Sequence, residues 1–142
     1  MNATMATAPF VLDNSVLCGW ILANQANPYS DAVGELLGVV DAHAPPLLQL
    51  EFTNVLRTAC RRGTLAIAGA REIVDQVARL PIRIDAAPAN PATLLSLALR
   101  FQLSSYDAAY LDLALRLQLP IATRDDALAE AAWAAGVGVL SA

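Results

Sequence analysis

Acidic residues occupy four positions where a carboxylate could do chemistry: Asp13, Glu51, Asp107 and Asp125. Asp13 directly follows the apolar run 10–12, and Asp125 follows the apolar run 119–123, and both runs are typical of buried strands. In parallel α/β sheets ligands bind beyond the carboxyl ends of the strands, so both side chains are expected in that crevice. The alternative for Asp13 is an N-cap of the next helix, a position that Ser15 could equally fill.

Glu51 and Asp107 lie on predicted helices, on or beside the faces that should be buried. At about 100° per residue, Glu51 falls roughly 40–60° from the centre of its apolar stripe. An ion pair, for example with Arg62, is the alternative to a functional role. Asp107 shares a helix face with Tyr110, but it also fits a capping box that begins at Ser104.

The fourth acid is ambiguous because Asp126 follows Asp125 directly. The segment 123–126 fits a capping box in which Thr123 is the N-cap and Asp126 is the third helical residue. This assignment leaves Asp125 for the crevice beyond the strand, with Asp126 as the alternative.

If these acids converge, a cation is needed to hold them together. Two charges about 5 Å apart repel by roughly 3 kcal/mol at an effective dielectric of about 20. The chain contains no lysine, and its single histidine, His43, is not placed to help. An all-oxygen ligand set suits Mg²⁺ or Mn²⁺ and not zinc.

The composition narrows the class of protein. The 142 residues fit a single domain, 1–142, and the nine basic residues are all arginine, giving a net charge of -4. Receiver domains and haloacid-dehalogenase-type phosphatases also place an aspartate after the first strand, but they use a lysine that this chain lacks. The acidic charge argues mildly against a nucleic-acid partner, unless the acids are concentrated in a cation site.

The sequence predicts a soluble, cytoplasmic protein. The N-terminus has no basic segment typical of a signal peptide, and no stretch is long and apolar enough to span a membrane. Cys18 and Cys60 lack metal-ligand spacing and are predicted to be buried free thiols in a reducing compartment.

Short apolar runs alternate with longer helical patterns, which predicts a parallel sheet covered on both faces. The predicted strands are 9–12, 82–84, 119–123 and 136–140. The predicted helices are 15–23, 31–40, 47–62 (ended by Gly63), 64–80, 93–103, 104–118 and 125–135.

Several segments together resemble the PIN-domain ribonucleases, and most closely the VapC-type toxins of toxin–antitoxin pairs. They are Val11-Leu12-Asp13-Asn14-Ser15, Pro46 to Glu51 with Asn54 and Leu56, Ser105-Tyr106-Asp107-Ala108-Ala109-Tyr110-Leu111, and Ala122-Thr123-Arg124-Asp125 with Leu128. The resemblance extends over essentially the whole chain. It implies a PIN-like three-layer α/β/α sandwich with a central, mainly parallel sheet of four or five short strands.

The resemblance also implies an activity. It assigns the metal-binding, catalytic role to the four acids, with Ser15, Asn54 and Asp126 in support. We therefore expect a Mg²⁺- or Mn²⁺-dependent endoribonuclease that hydrolyses single-stranded or structured RNA, such as tRNA or rRNA. Water attack would leave 5′-phosphate and 3′-hydroxyl ends.

Arginines that flank the acid-bearing segments are candidates for contacting RNA phosphates, because guanidinium groups bind phosphate in a bidentate way. They are Arg57, Arg61, Arg62 and Arg124. For any one of them a solvated surface charge is the alternative.

The resemblance further implies a homodimer and a cognate VapB-like antitoxin, for which segments 31–40 and 64–80 are candidate docking surfaces. Several alternatives stay open: a catalytically silent PIN-like binding module, a PIN nuclease of RNA processing or of DNA without an antitoxin, and a metal-dependent phosphatase.

Overall fold

The computed structural model describes residues 8–142, and its centre is a four-stranded sheet. The strands are β1 (Phe10–Leu12), β2 (Ala42–Ala44), β3 (Ile82–Ile84) and β4 (Ile121–Ala122). Their order is β3-β2-β1-β4, and every neighbouring pair is parallel. All carboxyl ends therefore lie at one edge of the sheet, with the end of β1 between those of β2 and β4.

Seven α-helices flank this sheet within residues 8–142. They are α1 (Asn14–Ile21), α2 (Pro28–Gly34), α3 (Leu47–Arg61), α4 (Ile67–Ala78), α5 (Pro91–Phe101), α6 (Ser105–Leu117) and α7 (Asp126–Ala134), with a 3₁₀ turn at Ala23–Gln25 between α1 and α2. Successive parallel strands need such crossovers, because a tight turn cannot bring the chain back to the same end of the sheet.

Both faces of the sheet are covered by apolar side chains. Along β1, Phe10 and Leu12 pack into a core with residues of α1 to α4, whereas Val11 packs into a second core formed mainly by α6 and α7. This division follows from the alternation of side chains along a strand. The predicted three-layer α/β/α arrangement with a parallel sheet is therefore confirmed.

One strand was missed and one helix was wrongly bounded by sequence reasoning. The strand β2 reads Ala-His-Ala, which carries almost no β-branched or aromatic signal, yet Ala42 and Ala44 are fully buried. The helix predicted at 31–40 is α2, which begins three residues earlier and ends six earlier. Pro28 occupies its first turn and the Asn27 side chain accepts a hydrogen bond from the Ser30 N–H, so the start is a capped one.

The predicted strand 136–140 is a single parallel bridge between Val139 and Ile121 and not a regular strand. Gly136 and Gly138 have φ of 89° and 76°, which interrupts an extended backbone. The remaining helices lie near their predicted positions, and Gly63 follows α3 with φ of 75°, as a C′ glycine does. No helix between residues 8 and 142 has the length and hydropathy needed to cross a bilayer.

Candidate active site

Asp13 is the first residue after β1, at the carboxyl edge of the sheet, and it is 95% shielded from solvent (5% exposed). Its Oδ2 accepts hydrogen bonds from the Ser15 hydroxyl at 2.6 Å and from the Thr123 hydroxyl at 2.8 Å. The side chain does not cap α1 through a hydrogen bond. Asp13 is thus the N-cap residue of α1 by position, while its carboxylate is directed mainly to the hydroxyls of Ser15 on α1 and Thr123 after β4.

The same two hydroxyls bind the backbone that leads to Asp125. Ser15 Oγ accepts from the Arg124 N–H at 2.9 Å, and Thr123 Oγ1 accepts from the Asp125 N–H at 3.0 Å. Each hydroxyl thus donates to Asp13 and accepts from the segment after β4. This hydrogen-bond network fixes the backbone of Asp125 relative to the Asp13 carboxylate.

Burial raises the pKa of Asp13, and the hydrogen bonds from Ser15 and Thr123 oppose that rise. A carboxylate removed from water is costly unless it is paired or hydrogen-bonded. The two hydroxyls supply part of the compensation, but no arginine forms an ion pair with Asp13 among residues 8–142. A bound cation would therefore stabilise the ionised form of Asp13.

Glu51 lies on α3, half-buried, and its Oε1 accepts a hydrogen bond from the Tyr110 hydroxyl on α6 at 2.5 Å. The ion pair with Arg62 considered from the sequence is absent, since the ion pairs within residues 8–142 involve other acids. Burial raises the pKa of Glu51, the Tyr110 hydrogen bond lowers it, and the charge of Asp13 raises it further.

Asp107 is the third residue of α6, where its N–H donates to the Ser104 hydroxyl at 3.1 Å. The predicted N-cap at Ser104 is therefore confirmed. The Asp107 carboxyl is half-buried and its pKa is raised to about 6, first by burial and then by the charges of Asp125, Asp13 and Glu51. Asp107 is thus the acid that senses the charge of all the other three.

Asp125 caps α7, which corrects the predicted capping box. Its Oδ1 accepts from the Leu128 N–H at 2.9 Å, whereas Thr123, the predicted cap, is directed to Asp13. Asp126 becomes the first residue of α7 and is exposed. The charge of Asp125 is among the causes that raise the pKa of Asp107, and that of Asp126 is not.

The donor chemistry at this edge fits a hard divalent cation. Carboxylate and hydroxyl oxygens are the ligand atoms present, and neighbouring carboxylate charges contribute to the raised pKa values of Glu51 and Asp107. Within residues 8–142 no three acidic, histidine or cysteine side chains stand as a ready group of metal ligands. Mg²⁺ does not require such a group, because it usually binds through one or two carboxylates and keeps several waters.

Comparison with known proteins identifies the family. Residues 10–134 match the family model described as the PIN domain. The chain belongs to the PIN-domain family. PIN domains are generally metal-dependent nucleases, and the carboxyl edge of the sheet, where Asp13 lies, is the ligand-binding edge expected for a parallel α/β fold.

A solved structure has the same fold. The crystal structure of PAE2754 from Pyrobaculum aerophilum is 20% identical in sequence, with a TM-score of 0.63, and the alignment covers 88% of this PIN domain chain and 80% of that one. At this identity the likeness concerns the fold alone. No curated protein matches the sequence significantly.

Some of the candidate supporting and RNA-contacting residues of this PIN domain line a common groove, and others lie outside it. Asn54 and Arg62 line a groove of about 640 Å³ between α3 and the 3₁₀ turn, together with Gln25. Arg57 and Arg61 are exposed and lie outside this groove. Glu51 accepts its hydrogen bond from Tyr110, and no hydrogen bond joins it to the candidate supporting residue Asn54 within residues 8–142.

The Arg124 side chain forms a hydrogen bond within the chain. Its guanidinium Nη1 donates to the Gln25 carbonyl at 2.6 Å, which joins the segment after β4 to the rim of the groove. Arg124 is exposed, so the remaining guanidinium N–H groups can meet solvent or a ligand.

Two site residues were missed from the sequence as partners of the acids, Tyr110 and Thr123. Tyr110 carried a usable signal, because a tyrosine on a buried helix face needs an acceptor for its hydroxyl and Glu51 was predicted on another inward face. Thr123 carried an ambiguous one, because the cap role and the carboxylate role both use the same hydroxyl.

Proposed function

We propose that this PIN domain is a Mg²⁺- or Mn²⁺-dependent endoribonuclease whose site consists of Asp13, Glu51, Asp107 and Asp125. The observation that carries the proposal is the hydrogen-bond network in which Ser15 and Thr123 join the Asp13 carboxylate to the segment that carries Asp125. In support, the pKa of Asp107 is raised to about 6, first by burial and then by the charges of the other three acids. Acids that repel one another at a ligand-binding edge are destabilising on their own, and a bound cation turns that arrangement into a favourable one.

Each side chain has a distinct part in the proposed reaction. Asp13, Asp107 and Asp125 would hold the cation, directly or through its bound waters, and Ser15 and Thr123 keep the Asp13 carboxylate in place. Glu51 completes the ligand set or orients the attacking water. A bound divalent cation lowers the pKa of a coordinated water and stabilises charge on the phosphate. Hydrolysis then gives 5′-phosphate and 3′-hydroxyl ends.

RNA in single-stranded or looped form is the proposed substrate, because its backbone and unstacked bases are accessible to a protein site. The groove lined by Asn54 and Arg62 lies beside the C-terminal end of α1 and offers amide, hydroxyl and guanidinium groups to an RNA strand. Among the groove residues one side chain, Arg62, is positively charged, so non-specific electrostatic attraction of RNA to this acidic protein should be weak.

The proposal is tested by cleavage of a panel of total tRNA and single-stranded RNA by purified protein. Reactions contain Mg²⁺, Mn²⁺ or EDTA, with Asp107→Asn as the site variant and Asp112→Asn as the control. Asp112 lies on the same helix but pairs with Arg116 at 3.0 Å, away from the acids of the site. We expect cuts that disappear in EDTA and in Asp107→Asn but persist in Asp112→Asn.

Two outcomes would contradict the proposal. Absence of cleavage by folded protein in every metal would leave a binding module as the better description. Equal cleavage by Asp107→Asn would mean that the nuclease site lies elsewhere or that the activity is a contaminant.

We further propose that the protein is the toxin of a toxin–antitoxin pair, acts as a homodimer and is held inactive by a VapB-like antitoxin. The support is the motif resemblance together with exposed apolar side chains on α4 and α5, including Ile67, Val74 and Leu99. Induced expression in bacteria should arrest growth, and Asp107→Asn should not. Normal growth with abundant wild-type protein would contradict the toxin role while leaving the nuclease proposal standing. Light scattering on purified protein tests the dimer.

A further inference from the structure

Tyr110 is a fully buried side chain whose one polar atom reaches a proposed site acid. It is 0% exposed and packs in the core formed by α6 and α7, so its ring is held on all sides. Its hydroxyl crosses to α3 and donates to Glu51 Oε1 at 2.5 Å. A short bond from a phenol to a carboxylate is among the stronger hydrogen bonds of a protein.

The position of Tyr110 on α6 connects two acids. Tyr110 comes three residues, or about one turn, after Asp107, so both side chains lie on the same side of the helix. The helix that carries Asp107 therefore also holds Glu51 of the neighbouring helix. A shift of α6 relative to α3 would move Asp107 and the anchor of Glu51 together.

The phenol acts here as a donor and not as a base. Burial and the neighbouring Glu51 carboxylate both raise the pKa of Tyr110, so the hydroxyl stays protonated across the physiological range. Within residues 8–142 the other Glu51 oxygen, Oε2, accepts no hydrogen bond.

We propose that Tyr110 is a positioning residue for Glu51: its phenol holds one carboxylate oxygen and thereby leaves the other oxygen to a cation or to the attacking water. The inference rests on the proposed metal-dependent nuclease. It adds that one side chain of α6 sets the orientation of an acid on α3, which the acidic motif alone does not indicate.

The test is Mn²⁺ binding by titration calorimetry to the wild type, Tyr110→Phe, Glu51→Ala and the double variant. Tyr110→Phe keeps the buried ring and removes the hydroxyl, and circular dichroism checks that each protein is folded. Partners that orient a metal ligand typically contribute about 10- to 100-fold in affinity, so we expect the Mn²⁺ dissociation constant of Tyr110→Phe to rise by about tenfold or more. The double variant should bind no more weakly than Glu51→Ala.

The RNA cleavage kinetics supply a second measurement. Tyr110→Phe should lower kcat and leave the KM for RNA within about twofold, because the phenol is buried and touches no substrate. A purely structural tyrosine would instead lower the melting temperature and leave Mn²⁺ affinity and kcat of the folded protein unchanged.

The outcomes separate this inference from the proposed function. Normal Mn²⁺ binding by the wild type with an unchanged dissociation constant in Tyr110→Phe would overturn the inference alone. The same would follow if the double variant lost affinity beyond Glu51→Ala by the factor seen for Tyr110→Phe, because Tyr110 would then act independently of Glu51. Wild-type protein that neither binds Mn²⁺ nor cleaves RNA would overturn the proposed function, and this inference with it.

Discussion

The Thr123 hydroxyl donates to the Asp13 carboxylate across 2.8 Å and so joins residues 110 positions apart in the chain. Both side chains are buried, at the carboxyl ends of neighbouring strands β4 and β1. The same hydroxyl accepts from the Asp125 N–H, so it connects the first and the last of the four acids. Thr123 is therefore part of the frame that determines how close Asp13 and Asp125 can come.

Replacement of Thr123 by valine should weaken both folding and activity. Thr123→Val keeps the shape and removes the hydroxyl, which leaves the buried Asp13 oxygen and the Asp125 N–H each without that partner. We expect a loss of about 2 kcal/mol in the free energy of unfolding of metal-free protein, measured by urea denaturation. With metal present, RNA cleavage should slow by about tenfold or more. Thr123→Ser retains the hydroxyl and is the matched control, so equal behaviour of the serine and valine variants would contradict this role.

The stability of the metal-free protein should depend on pH through Asp107. The pKa of Asp107 is raised from its ordinary 3.8 to about 6, so between these values the folded state binds more protons than the unfolded state. The stabilising contribution is complete below about pH 4 and is lost as the pH rises through about 6. Asp107→Asn should flatten the curve and should be more stable than the wild type at pH 7, by about 1 kcal/mol after allowance for solvent screening.

Urea unfolding at several pH values from 4 to 7.5 measures that difference. Added Mg²⁺ should stabilise the wild type at pH 7 and should stabilise Asp107→Asn much less, because binding to the folded state shifts the equilibrium only where affinity exists. Parallel curves for the two proteins without metal would show that Asp107 does not carry the shift.

The identity of the fourth acid can be decided between Asp125 and Asp126. Asn is as good an N-cap as Asp, so Asp125→Asn should keep the bond to the Leu128 N–H and leave stability nearly unchanged. It removes the charge that acts on Asp107, and cleavage should fall by about tenfold or more. Asp126→Asn removes an exposed charge from the first turn of α7, which is worth a few tenths of a kcal/mol, and cleavage should change by less than about twofold. The reverse order of the two variants would assign the site to Asp126.

The sequence was informative where one interaction dominates a segment. The apolar periodicity located α3 closely, and the Ser104 cap located the start of α6. Each of these signals depends on residues only a few positions apart in the sequence. Sequence reasoning failed at β2, whose burial is supplied by neighbours on both sides of the sheet and not by its own Ala-His-Ala. A strand made of small residues can be recognised only when its neighbours in the sheet are known.

The acids themselves could be located from their positions after strands and on inward helix faces. Their hydrogen-bond partners could not, because Tyr110 and Thr123 reach Glu51 and Asp13 over separations of 59 and 110 residues. Thr123 also illustrates a competition between two local rules. It fits an N-cap by spacing, but the buried carboxylate of Asp13 is the more demanding acceptor, and Asp125 caps α7 instead.

Arg62 and Arg61 provide the sharpest test of where RNA lies. They are adjacent, exposed and of equal charge, but Arg62 lines the groove between α3 and the 3₁₀ turn and Arg61 does not. Both variants are made in an Asp107→Asn background, in which we expect no cleavage. Arg62→Glu should weaken binding of a labelled single-stranded RNA by about fivefold or more. It should also reduce the slope of log K against log salt concentration by about 0.7, the value for one phosphate contact on a single strand. Arg61→Glu changes the net charge by the same amount and should weaken binding by no more than about twofold. Fluorescence anisotropy at several salt concentrations measures both the affinity and the slope.

Equal losses of RNA affinity in the two variants would mean that RNA responds to the overall charge of the C-terminal end of α3 and not to the groove. A larger loss of affinity in Arg61→Glu would place the RNA on the opposite side of α3.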